Sequence, residues 1–218
     1  MTIPITHFSD ALCIWAYVSQ VRIAELRTHF AEEVTFDYRY FNVFGDVPTK
    51  MATQWQAKGG LDGYAGHVHE VAARFEHVRI HADLWTRDAP NSSMPAHLVL
   101  CAARVTLDDR SAVLSLDHEV RRSFFETAAD ISRTHVLLEI CERQGLDRAP
   151  IERALQDGRA HAALATDMKQ AQELGVRSSP TLTFNEGRQT LTGNVGYRVI
   201  EANIRELIRD PQDQQSWC

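Results

Sequence analysis

The chain has 218 residues, of which 44% are hydrophobic and 24% charged, a balance typical of a globular protein. Its formal net charge of −6 and the lack of a Lys/Arg run argue against binding to nucleic acid. No apolar stretch approaches the roughly 18 residues of a transmembrane helix, and the first residues do not resemble a secretory signal. We therefore expect a cytoplasmic protein without a membrane partner.

The first part of the chain alternates between strand and helix patterns. Residues 3–8 are β-like, apolar positions at helical spacing predict a helix from about 13 to 30, and residues 34–41 are rich in β-branched and aromatic side chains. A strand–helix–strand unit of this length predicts two parallel strands joined by a right-handed crossover.

Helical patterns dominate the middle of the chain. Polar capping residues followed by Pro95 in a first turn predict a helix start near residue 94. Six further helices are predicted, at about 50–58, 63–81, 112–128, 132–145, 150–156 and 160–174.

Residues 175–180 break the helical pattern. Two short strands, 181–184 and 189–192, flank a hairpin-type turn, and a last helix runs from 197 to about 208. Neither end of the chain can complete a sheet alone, so the order predicts one α/β domain split by helices. We assign residues 1–45 and 175–218 to its two halves and residues 46–174 to an all-helical insertion.

The four cysteines, Cys13, Cys101, Cys141 and Cys218, are far apart and form no C-x-x-C pair. This spacing argues against a zinc knuckle and a disulfide scaffold. Cys101 and Cys141 fall in helical patterns between apolar neighbours, where packing is the expected role. Cys218 is the last residue.

Cys13 lies where the first strand passes into the first helix. Ser9 and Asp10 favour turns and helix starts, so the free N–H groups and the positive end of the helix dipole are expected beside its sulfur. Such a position favours the thiolate and predicts a lowered pKa and a nucleophilic thiol. The alternative is a small buried hydrophobe, since free cysteine is often buried.

Four stretches resemble the DsbA family of the thioredoxin superfamily, in its FrnE-like and 2-hydroxychromene-2-carboxylate isomerase-like branch. They are 8–17, similar to D-x-x-C-P-W-C-Y; Asn91-Ser92 with Ala96-His97-Leu98; 130–147; and 171–181, similar to G-V-x-G-V-P-T. The resemblance implies a thioredoxin-like fold (β-α-β … β-β-α) with a helical insertion. It also implies a cis peptide before Pro180 and a substrate backbone that pairs with Ser179 beside Cys13.

The motif departs from the family at two positions. Ile14 replaces the usual proline, and Ala16 replaces the second cysteine, whereas Trp15 and Tyr17 remain and are expected to shape the substrate site. A dithiol cycle needs both sulfurs. We therefore predict a monothiol oxidoreductase in which Cys13 attacks a small or protein disulfide and glutathione, as a co-substrate rather than a bound cofactor, releases it.

Two other functions stay open. Kappa-class glutathione transferases and 2-hydroxychromene-2-carboxylate isomerases share the topology and lack the second cysteine, but they usually carry a serine at the position of Cys13. A redox-inactive binding module would also lack a cysteine at position 16, although it would not need Cys13 or Pro180. A homodimer is compatible with any of the three.

A cluster of histidines suggests a metal site only weakly. His67, His69 and His77 share a helical stretch with Glu70, but no H-E-x-x-H motif occurs. We interpret this stretch as a solvated helix face and predict no metal.

Overall fold

A mixed four-stranded sheet joins the two ends of the chain. In the computed structural model, which describes residues 2–210, the strand order is β2-β1-β3-β4. β1 is parallel to β2 and antiparallel to β3, and β4 is antiparallel to β3. The strands are β1 (Ile3–Ser9), β2 (Val34–Tyr40), β3 (Thr181–Phe184) and β4 (Gln189–Thr192). The predicted α/β architecture, completed only when both ends of the chain meet, is confirmed; the domain boundaries stay a prediction.

Helices cover both faces of this sheet and fill the chain between β2 and β3. They are α1 (Ile14–His29), α2 (Val47–Lys50), α3 (Gly60–Ala72), α4 (Met94–Thr106), α5 (Arg110–Thr127), α6 (Thr134–Arg143), α7 (Arg148–Gln156), α8 (Arg159–Glu173) and α9 (Tyr197–Arg209). Among the described residues, no helix is long and apolar enough to cross a membrane.

Two predicted helices of the middle segment are wrong in detail. The helix predicted to reach residue 81 ends at Ala72, and the chain then turns back, with Trp85 at a φ of 68°. His81 N–H donates to the Phe125 carbonyl at 2.7 Å, so backbone pairing with α5 replaces another helical turn. The helix predicted at 50–58 is instead α2, one π turn and one 3₁₀ turn.

Of three buried apolar clusters among the described residues, the two larger ones hold the layers together. The smaller of these two packs α1 and α9 against the sheet, with Leu26 and Ile204 fully buried against Phe184. The larger one joins the start of α1 to the helical segment through residues such as Leu12 and Leu100. The start of α1 is therefore buried between the sheet and the helices, and this burial sets the environment of Cys13.

Candidate active site around Cys13

Cys13 occupies the N-cap of α1, immediately after the turn that follows β1. Its backbone is extended (φ −80°, ψ 116°), and its carbonyl accepts the first helical hydrogen bond, from Tyr17 N–H at 3.1 Å. The structure therefore places Cys13 at the strand-to-helix junction that the sequence indicates, with the free N–H groups of the first turn beside the sulfur.

Asp10 connects three segments around this turn. It is fully buried, and its carboxylate accepts hydrogen bonds from the backbone N–H groups of Leu12 (2.9 Å), Val43 (3.0 Å) and Phe44 (2.9 Å) and from the Ser93 hydroxyl (2.7 Å). Four donors offset the cost of burying the charge. The turn, the segment after β2 and the start of α4 are thereby held together.

Arg121 supports the same turn from α5. It is fully buried and paired with Asp117 at 3.1 Å. Its guanidinium also donates to the carbonyl of Asp10 and to the hydroxyl of Ser9, each at 2.8 Å. These three partners use the guanidinium donors, so Arg121 fixes the backbone before Cys13 but is not available to a ligand.

His97 supports the turn from α4. Its Nε2 accepts a hydrogen bond from Ala11 N–H at 3.0 Å, and its ring stacks on Tyr40 at 5.3 Å between centroids. Burial lowers the pKa of His97, so the neutral ring carries its proton on Nδ1, for which the described residues supply no partner. The Ala-His pair that resembles the family motif thus acts on the backbone next to the cysteine.

The loop before β3 faces the sulfur. The Ser179–Pro180 peptide bond is cis, and the Cys13 thiol donates to the Ser179 carbonyl at 3.2 Å. The Ser179 hydroxyl in turn accepts a hydrogen bond from Asp10 N–H at 2.9 Å. Residues 166 positions apart are therefore in contact, and the loop covers the thiol rather than leaving it open to solvent.

Burial dominates the titration of Cys13, which is only 6% exposed. Desolvation raises the pKa of the thiol, because a charged sulfur loses its hydration there. The Ser179 hydroxyl and the backbone N–H groups of Ala16 and Trp15 act in the opposite direction, and the Asp10 carboxylate adds to the rise. The expectation of a lowered pKa is wrong, because the helix start is buried and not only positively polarised.

Trp15 and Tyr17 contact the helical segment. Trp15 packs edge-on against Phe75 with 6.3 Å between ring centroids. Tyr17 stacks on Phe125 at 4.4 Å, and its hydroxyl donates to Glu126 at 3.0 Å. These contacts brace α1 against the helices, and a role of the two rings in substrate binding stays a prediction.

The remaining described cysteines lie within the packing of the helical segment. Cys101 and Cys141 are fully buried, and burial raises their pKa values to about 12 and about 11. Cys101 lies 3.7 Å from the buried carboxylate of Asp167, which also disfavours its thiolate. Cys218 lies outside the described residues.

Three side chains near the site have no local sequence signal. Phe44 follows β2, the ammonium of Lys50 lies 4.9 Å from the centroid of its ring, and the centroid of the Tyr64 ring lies 5.7 Å from the same point. Burial lowers the pKa of Lys50 and raises that of Tyr64, and the Asp10 carboxylate raises both. The sequence around these residues reads as an ordinary loop and an amphipathic helix.

The histidines of α3 and the segment after it do not converge on one point. His67 packs beside Trp55 and Tyr64, whereas His77 contacts the Val18 carbonyl at 3.1 Å. Within residues 2–210, no group of three or more His, Cys, Asp or Glu side chains could hold a metal ion.

Sequence comparison matches the DSBA-like thioredoxin domain family model to residues 4–205. The chain is also similar to the ClpXP adapter protein SpxH of Bacillus licheniformis, with 37% identity over 128 residues, covering 56% of this chain and 42% of that protein. The SpxH protein of Bacillus subtilis is 31% identical over 134 residues, covering 59% of this chain and 44% of that protein. The chain thus spans less than half the length of these two relatives.

Structure comparison finds the same fold in several solved proteins. A candidate protein disulfide isomerase from Nitrosomonas europaea superimposes with a TM-score of 0.80 and 13% identity over 96% of this chain and 98% of that one. The cytosolic disulfide reductase DsbM from Pseudomonas aeruginosa, solved with GSH, superimposes with a TM-score of 0.67 and 14% identity, covering 93% of this chain and 99% of that one. A 2-hydroxychromene-2-carboxylate isomerase superimposes with a TM-score of 0.69 and 14% identity, covering 95% of this chain and 97% of that one. At such identities the likeness establishes the fold.

Proposed function

The chain belongs to the DSBA-like thioredoxin family, and from that premise we propose a thiol-disulfide oxidoreductase that acts through the single thiol of Cys13, with glutathione as co-substrate. The observation that carries the proposal is the contact of the Cys13 sulfur with the Ser179 carbonyl at 3.2 Å. A cysteine at a helix start, faced by the loop that contains Ser179 and Pro180, is where a disulfide partner can be held by its backbone.

The proposed reaction is the reduction of a mixed disulfide between a substrate thiol and glutathione. Cys13 loses its proton and attacks the glutathione sulfur, the disulfide breaks, and the substrate thiolate leaves and takes up a proton. The thiolate of a second glutathione attacks the Cys13–glutathione disulfide, oxidised glutathione leaves, and Cys13 regains its proton. One disulfide and one thiol are consumed and one of each is formed, so atoms and electrons balance.

Ser179 can couple substrate binding to activation of the thiol. In the free protein its carbonyl accepts a hydrogen bond from the Cys13 thiol, which stabilises the protonated form. A substrate N–H that pairs with this carbonyl takes the acceptor away. The Ser179 hydroxyl and the N–H groups of Trp15 and Ala16 then stabilise the anion. We propose that Cys13 is protonated in the free protein and ionises when a backbone N–H of the substrate pairs with the Ser179 carbonyl.

The first test is the formation of a covalent adduct. The protein is incubated with oxidised glutathione, and the intact mass and the modified residue are determined. We expect a glutathionyl group on Cys13 in the wild type and in Cys101→Ser, and none on the buried Cys101 and Cys141 in Cys13→Ser. An unmodified Cys13 after prolonged incubation above its pKa would overturn the proposal. An isomerase or transferase reaction on bound glutathione would instead persist in Cys13→Ser.

A binding role without thiol chemistry is the second candidate. The observation that favours it is the burial of Cys13, together with the resemblance of part of the chain to proteins described as ClpXP adapters. A binding module does not need the sulfur. Cys13→Ala would therefore leave the binding of a protein partner unchanged, whereas the oxidoreductase would lose turnover completely.

A further inference from the structure

A half-buried ammonium group lies beside the Cys13 site without a counter-ion. Lys50, at the end of α2, extends over the ring of Phe44 and donates to the Gln54 side chain at 2.9 Å. No carboxylate of residues 2–210 forms an ion pair with it, so two of its three N–H donors are free. Burial lowers the pKa of Lys50, and the carboxylate of Asp10 acts in the opposite direction.

Phe44 fixes the position of Lys50 relative to Cys13. Its N–H donates to the Asp10 carboxylate at 2.9 Å, and its carbonyl accepts a hydrogen bond from Ser93 N–H at 2.9 Å. The carbonyl of Asp10 accepts a hydrogen bond from Cys13 N–H at 3.1 Å. A short chain of backbone hydrogen bonds thus connects the aromatic platform under Lys50 to the cysteine.

Tyr64 contacts the same platform from α3. Its ring is held by Phe44, Trp55 and Trp85, at centroid distances of 5.7, 4.9 and 5.0 Å, and the residue is 5% exposed. Its hydroxyl makes no hydrogen bond with any atom of the described part of the chain. Burial raises the pKa of Tyr64 well above 10, and Cys13 and Asp10 add to the rise, so the hydroxyl stays a neutral donor.

From this arrangement we propose that Lys50 and Tyr64 form an anion-binding subsite beside Cys13, which binds a carboxylate of the thiol co-substrate. The inference rests on the proposed function, because it names what the co-substrate must carry: a thiol and, a few bonds away, a carboxylate, as in glutathione. An unpaired ammonium and an unpaired hydroxyl supply a charged and a neutral donor, and a partly desolvated carboxylate needs both. Arg121 cannot replace Lys50, since it is buried and already paired.

The test measures binding without thiol chemistry. S-methylglutathione, which cannot form a disulfide, and its diethyl ester, which lacks the carboxylates, are titrated into the wild type and into Lys50→Gln, Tyr64→Phe and Lys58→Gln. Lys58 is the matched control, because its ammonium lies 4.9 Å from the ring centroid of Trp55 rather than Phe44. Neither Lys50→Gln nor Tyr64→Phe removes a packed ring, so each variant is expected to fold.

We expect Lys50→Gln to raise the Kd for S-methylglutathione about tenfold and Tyr64→Phe about three- to fivefold, as for the loss of charged and neutral hydrogen bonds at a partly exposed site. The diethyl ester should bind weakly and equally to all four proteins, and Lys58→Gln should match the wild type. Equal Kd values for wild type and Lys50→Gln, or no binding by the wild type, would overturn the subsite. Lys50-dependent binding without any adduct on Cys13 would retain the subsite and refute the oxidoreductase.

Discussion

Ser179→Ala tests how the loop before β3 controls the thiol. The Ser179 hydroxyl is the neighbouring side-chain donor that lowers the pKa of Cys13, against desolvation that raises it. A hydrogen bond to a charged acceptor contributes about 1.5–3 kcal/mol. At about 1.4 kcal/mol per pKa unit, its loss should raise the pKa of Cys13 by about one to two units.

The same substitution has a second, separable effect. Asp10 N–H donates to this hydroxyl at 2.9 Å and would be left without a protein acceptor. An unsatisfied buried donor costs about 1–3 kcal/mol of unfolding free energy. Ser179→Thr, which keeps a hydroxyl, is the matched control and should retain most of both effects.

The assay is the rate of alkylation of Cys13 by a small neutral reagent as a function of pH, followed by peptide mass spectrometry so that the other thiols do not contribute. The midpoint of the profile gives the pKa, and urea unfolding of the same samples gives the stability. We expect a wild-type midpoint above the ordinary value of a cysteine and a higher one in Ser179→Ala. A lower or unchanged midpoint in Ser179→Ala would refute the assigned role of the hydroxyl.

Three further outcomes follow from the buried polar groups. Burial raises the pKa of Cys101 from 9.0 to about 12, so the folded state holds the thiol proton more tightly than the unfolded state. The stability that this proton contributes is complete below pH 9 and is lost as the pH rises from 9 to about 12. Cys101→Ala should reduce this loss in unfolding titrations at several pH values. Asp167→Ala removes the fully buried carboxylate shared by Arg39 and Arg104, so Arg104 loses its ion-pair partner while Arg39 keeps Asp37, and it should cost about 3–5 kcal/mol in urea unfolding. The exposed Asp157→Ala, which removes a surface pair with Arg159, should leave the free energy of unfolding nearly unchanged. His97→Phe keeps the stacked ring but leaves Ala11 N–H without its acceptor. This should lower the free energy of unfolding by about 1–3 kcal/mol and slow the alkylation of Cys13. An unchanged free energy of unfolding would show that the hydrogen bond is dispensable.

The positions of most elements could be read from the sequence. Strand and helix patterns are local, so the order of the elements, the turn at Asp10 and the placement of Cys13 at a helix start were predictable from neighbouring residues. The resemblance to a known family added Ser179 and Pro180 opposite the sulfur. The overlong helix prediction at 63–81 failed because His81 pairs with the backbone of α5, a contact that no local pattern encodes.

The chemistry of the site depends on contacts between distant parts of the chain. The sequence alone determined that one thiol lies at a helix start, that no second cysteine is within its motif, and that the two ends of the chain complete one sheet. Only the tertiary structure decided that this thiol is buried, that Asp10 and Ser179 surround it, and that Lys50 and Tyr64 both pack on Phe44. The reason is physical: the helix dipole is a property of adjacent peptide groups, whereas desolvation and charge pairing depend on which distant residues exclude water from the same point.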